Sequence, residues 1–85
     1  MKPHVLRARQ GRSYWWIVAD WTGVLISRAG ESLASTLRRW EALHGKAKEG
    51  FSRVLGVSNL VEAGQRIGVY WREHGPTATA KGGAK

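Results

Sequence analysis

The pattern of apolar and polar positions divides the chain into a strand-rich first third and a helical middle. Residues 4–9 read as a short extended segment. Gln10, Gly11, Arg12 and Ser13 make a hairpin loop, because glycine accepts a positive φ. Residues 14–19 (YWWIVA) have the aromatic and β-branched composition that strands favour. Both faces of that segment are apolar: Tyr14, Trp16 and Val18 on one, Trp15, Ile17 and Ala19 on the other. A strand of this kind belongs inside a sheet rather than at its edge. Asp20, Trp21, Thr22 and Gly23 form a tight turn, and residues 24–28 (VLISR) a third strand.

A helix follows. Leu33, Leu37, Trp40 and His44 recur at i, i+4, i+7 and i+11, with Leu43 beside them, which is a helical apolar stripe. Glu31 or Ser32 can cap its start and Gly45 suits its end, so the helix is predicted over 32–44. Phe51, Val54 and Leu55 share one short helical face, which predicts a second helix over 48–55 closed by Gly56. Residues 60–65 (LVEAGQ) read as a loop. Residues 66–72 (RIGVYWR) alternate Ile67, Val69 and Trp71 against Gly68 and Tyr70, the pattern of a C-terminal strand. Residues 75–85 hold no large apolar side chain and read as a disordered basic tail.

The expected fold is therefore α+β: a three-stranded antiparallel β-meander packed on one main α-helix, with a short second helix and a final strand, all in one domain over 1–74. Either Trp16 and Val18 or Trp15 and Ile17 lie beneath the helix. A register shift of one residue exchanges the two sets, so the pattern leaves that choice open. Whichever set is inside, the opposite face still carries a tryptophan and stays available to a partner.

Composition sharpens this picture. Five tryptophans, Trp15, Trp16, Trp21, Trp40 and Trp71, are many for 85 residues, and a small domain leaves part of such surface exposed. Fourteen Lys and Arg against six Asp and Glu give a formal charge of +8. Such a balance favours anionic partners. With no cysteine, disulfides and thiolate metal sites are excluded. Arg7, Arg9, Arg12 and Asp20 interrupt any signal-peptide core, and no stretch reaches the roughly 20 apolar residues of a membrane span. A cytoplasmic location is expected.

Catalytic chemistry finds no foothold. His4, His44 and His74 are far apart, the carboxylates are scattered, and neither a metal-ligand spacing nor a nucleotide-binding glycine run occurs. A non-enzymatic binding role without metal or cofactor is expected. The residues that suit it are arginines interleaved with tryptophans on the predicted strands: Arg7, Arg9, Arg12, Trp15, Trp21 and Arg28. Arginine contacts phosphates, reads guanine edges and stacks on aromatic rings. Duplex DNA is the favoured partner, and an acidic protein surface the alternative.

Two resemblances bear on this reading. Residues 5–43, with the aromatic strand Tyr14, Trp15, Trp16, Ile17 and Val18, the turn at 20–23 and a helix ending near Trp40, resemble the arm-site-binding domain at the N-terminus of tyrosine recombinases. That resemblance implies a sheet lying in the DNA major groove, with Arg7, Arg9, Trp15 and Arg28 facing DNA. Residues 24–70 are similar to a LysM module. Gly30, Glu31, Ser32 and Leu33 stand where its G-D-T-L opening would be, and residues 63–67 (AGQRI) where its closing strand would be. This second resemblance implies binding of N-acetylglucosamine polymers such as peptidoglycan. A small, basic, tryptophan-rich and cysteine-free chain also looks like the short regulatory proteins with which phages inhibit host machinery, which would imply a protein partner such as transcription machinery.

Overall fold

The computed structural model describes residues 2–74. Its elements are β1 (His4–Gln10), β2 (Ser13–Asp20), β3 (Gly23–Ile26), α1 (Leu33–His44), β4 (Leu55–Val57) and α2 (Leu60–His74). The strands form one mixed sheet in the order β3-β2-β1-β4, with β4 parallel to β1 and the other neighbours antiparallel. The architecture is α+β, as expected, with a fourth strand and a second long helix added to the meander.

Local chemistry explains the meander. Gln10 pairs with Ser13, so β1 and β2 are joined by the two residues Gly11 and Arg12. Gly11 takes φ +60°, the first-position requirement of a type II′ hairpin turn. Between β2 and β3 the Asp20 carboxylate accepts the backbone N–H and the hydroxyl of Thr22, closing an Asx turn. The α1 helix starts at Ser32, whose side chain accepts the Ser35 N–H, and stops at Gly45, whose φ of 86° favours glycine.

The two faces of β2 are both buried, each by a different helix. On one face Trp40 of α1 packs on Val5 and Val18, with Leu25, Leu33, Leu37 and Phe51 around it. On the other, Ala63 and Ile67 of α2 pack on Leu6, Ala8, Ile17 and Ala19, flanked by Val57 and Trp71. The strand register settles which tryptophan lies where. Trp16 shares the α1 side with Val18, and Trp15 shares the α2 side with Ile17.

Three sequence expectations are corrected. Residues 48–55 are not a helix: residues 51–54 run irregularly beside the start of β1, and β4 begins at Leu55. Ser52 holds this segment. Its N–H donates to the Pro3 carbonyl, and its Oγ accepts the Val5 N–H at 2.9 Å and lies 3.1 Å from His4 Nδ1. Gly45, Gly50 and Gly56 bracket too short a stretch for a stable helix, and the i, i+3, i+4 spacing of Phe51, Val54 and Leu55 was coincidental. Residues 66–72 are not a strand and residues 60–65 are not a loop, since both belong to α2. The real period is Ala63, Ile67, Trp71 at i, i+4, i+8, which places the three on one helix face. Consequently the final element adds no strand beside β3, which is an edge of the sheet. The expected disordered tail over 75–85 lies outside the described residues.

Candidate nucleic-acid interface

The hairpin of β1 and β2 is longer on the α1 side than the helix that covers it. Near Val5, Val18 and Leu25 the face is sealed by Trp40 and its neighbours. Toward the β1–β2 turn the same face carries Arg7 and Arg9 from β1 and Tyr14 and Trp16 from β2. They are cross-strand partners, Arg7 with Trp16 and Arg9 with Tyr14. Arg7, Arg9 and Tyr14 are exposed, and Trp16 is half-buried. The Arg7 guanidinium sits over the Tyr14 ring, 4.9 Å from its centroid. Arg9 Nε donates to the Gly11 carbonyl at 3.2 Å, which orients it along the turn. Arg12 is exposed at the tip.

On the β4 side Gly56 pairs with Arg7 and adds no side chain to the face. A shallow hollow of about 360 Å³ opens there, lined by Arg7, Arg9, Tyr14, Gly56, Ser58 and Glu62, among others. Its one carboxylate is engaged within the chain. Glu62 accepts the Ser58 N–H at 2.9 Å and lies 3.8 Å from Arg66, and these contacts hold its pKa below the usual value, the Ser58 bonds first. The hollow therefore presents guanidinium groups, an aromatic ring and a serine.

The six residues singled out in the sequence do not form one surface. Arg7, Arg9 and Arg12 gather at the hairpin end. Arg28 follows Ser27, whose N–H bonds the Trp16 carbonyl, so it leaves the sheet at that same end. Trp15 stands on the opposite face, across from Ala8, with its indole Nε1 buried and unpartnered. Trp21 is 59% exposed, but it sits in the β2–β3 turn at the other end of β2. At about 3.3 Å per residue that is roughly 23 Å from Ser13. Tyr14 and Trp16, which are not among those six, are brought to this face by the strand register, which sets them opposite Arg9 and Arg7.

Other polar clusters serve the fold. Glu31 receives the Arg39 guanidinium at 2.6 Å, the Arg28 N–H and the Ser35 hydroxyl, and these, Arg39 first, hold its carboxyl far below the usual range. His4 is buried, stacks on Tyr70 at 4.2 Å and has its pKa lowered by burial and then by His74. Among the described residues no group of His, Asp or Glu is clustered to hold a metal ion, and no helix is long and apolar enough to cross a membrane.

No protein-family model, curated protein or solved structure matches the chain. Two structural facts bear on the resemblances read from the sequence. β1, β2, β3 and α1 follow the β-β-β-α order of the recombinase arm-site domain, but α2 occupies the sheet face opposite α1. Residues 63–67, read as a closing LysM strand, are helical.

Proposed function

We propose that this chain is a non-enzymatic nucleic-acid-binding module that presents the end of its β1–β2 hairpin to duplex DNA. The observation that carries the reading is the placement of Arg7, Arg9, Tyr14 and Trp16 on one uncovered half-face, with Arg12 at the tip. The sheet face opposite α1, the interface expected from sequence, is filled by α2, so the binding surface moves to the α1 side beyond the helix. A two-stranded ribbon fits the major groove, which is about 12 Å wide. The arginines supply phosphate and guanine contacts, and the exposed Tyr14 supplies a ring for stacking or packing on a base.

The test is a duplex titration at about 50 and about 200 mM salt. Three arginines neutralising phosphates give a log–log slope near −2.7, or about a 40-fold loss of affinity over that range. Arg7→Ala and Arg9→Ala should each flatten the slope by about one unit. Arg38→Ala and Arg72→Ala, which remove the same charge from the two helices, should change it far less. Equal effects at all four positions would show that only general charge attracts DNA, and the hairpin reading would fall.

A further inference from the structure

α2 lies over β1 and β2 and leaves the same face of β3 bare. Val24 and Ile26 point to that face, 49% and 46% exposed. With Ile17, Leu60, Gly64, Gly68 and Trp71 they line an apolar groove of about 280 Å³ between the sheet edge and the helix. Gly64 and Gly68 are the wall. Glycine is unfavourable in a helix interior, and at neither position would a Cβ meet any atom of the described residues within 4 Å, apart from its immediate neighbours and the backbone of its own helix. Among the described residues nothing packs on these positions, and their smallness leaves a flat backbone surface beside two exposed aliphatic side chains.

We propose that this groove is a docking site for an amphipathic α-helix of a partner protein, with an apolar stripe flanked by acidic residues. A helix fits better than an added strand. On its other face β3 is covered by α1, so a helix is the layer missing here. At the edge itself Arg39 Nη2 donates to the Ile26 carbonyl at 3.4 Å, a group that an added strand would need. Charge selects the flanks. Among the described residues no carboxylate lines the groove, and Arg72 stands one turn beyond Gly68 on the same side of α2. A second copy would bring another +8 to the contact, whereas a partner with acidic flanks would meet Arg72 with opposite charge. The site is separate from the hairpin end and does not depend on the nucleic-acid reading.

The probe is a displayed library of helix-forming peptides of about 12 residues, enough to run beside residues 60–71 at about 1.5 Å per residue. It is selected on the full chain and re-tested on Gly68→Leu. That substitution fills the groove from the solvent side, where nothing in the chain is displaced, so the fold should persist. Ile26→Asp is the second variant, and circular dichroism checks both. Enriched peptides should carry aliphatic residues at i, i+3, i+4 and i+7 with Asp or Glu beside them. They should bind either variant at least tenfold more weakly, and Arg72→Glu several-fold more weakly. Peptides with basic flanks, peptides indifferent to Gly68→Leu, or no enrichment at all would overturn the proposal. So would self-association of the wild-type chain that Gly68→Leu abolishes, because the occupant would then be a second copy.

Discussion

Replacing Trp40 by alanine tests the two-sided core most directly. Trp40 is 1% exposed and is the largest of the fully buried side chains. It is the contact through which α1 grips Val5 and Val18. Burying an aromatic side chain removes about 150–250 Å² from water. At about 25 cal/mol per Å² that is about 4–6 kcal/mol, and the methyl that alanine keeps returns roughly 1 kcal/mol. The expected loss is therefore about 3–5 kcal/mol, the range found for large aromatic deletions in cores. A chain of this length has a total stability of about 4–13 kcal/mol, so the loss removes a large share of it and should lower the urea midpoint steeply, with complete unfolding at the low end of that range. The control is the same substitution at Trp21, which is 59% exposed in the β2–β3 turn and belongs to neither core cluster. There the loss should stay under about 1 kcal/mol. Urea unfolding followed by far-ultraviolet circular dichroism reads both without relying on tryptophan emission. Equal losses at the two sites, or a loss at Trp40 below about 1 kcal/mol, would refute the packing argument.

Gly64→Ala and Gly68→Ala should each stabilise the chain by about 0.5–1 kcal/mol, because the added methyl meets nothing and the unfolded chain loses freedom. A lower urea midpoint for either would mean that α2 is packed differently. His4 has a lowered pKa, so below its ordinary value of 6.5 the unfolded state binds more protons than the folded one, and stability should fall as pH drops from that point. His4→Leu should flatten that pH dependence, and an unchanged slope would rule His4 out as its source. Glu31, held far below its ordinary 4.5, acts in the same direction over a more acid range: its contribution is complete above that value and is lost as acid is added. Glu31→Gln should therefore lower the midpoint at pH 7, with the difference from wild type shrinking at strongly acid pH. A constant difference would show that the carboxylate's charge is irrelevant.

The sequence carried the local structure well where the signals were redundant. The meander had turn chemistry at Gly11 and Asp20 and an aromatic strand between them, and α1 had a stripe, a Ser32 cap and a Gly45 stop. α2 was missed because Ile67, Val69 and Trp71 are β-branched or aromatic and alternate over five residues, while Gly64 and Gly68 weaken its helical propensity. The signal that would have found it was present: Asn59 followed three residues later by Glu62. In the structure the Asn59 carboxamide oxygen accepts the Glu62 N–H, and the Glu62 carboxylate reaches back to the Ser58 N–H. Of the candidate site, the arginines were legible as charges near the hairpin. That Tyr14 and Trp16 share the face of Arg7 and Arg9 needed the register.

By itself, then, the chain's sequence determined the hairpin turns, the central position of a β2 whose middle is apolar on both faces, the amphipathic α1 and the net positive charge. These follow from interactions within a few residues or from composition alone. The tertiary structure decided which face each tryptophan serves, that α2 covers the second face, and that Arg12 and Trp21 lie at opposite ends of the sheet. Those outcomes depend on pairing register and on competition between distant apolar segments for the same sheet surface, and neither is encoded in any local window of residues.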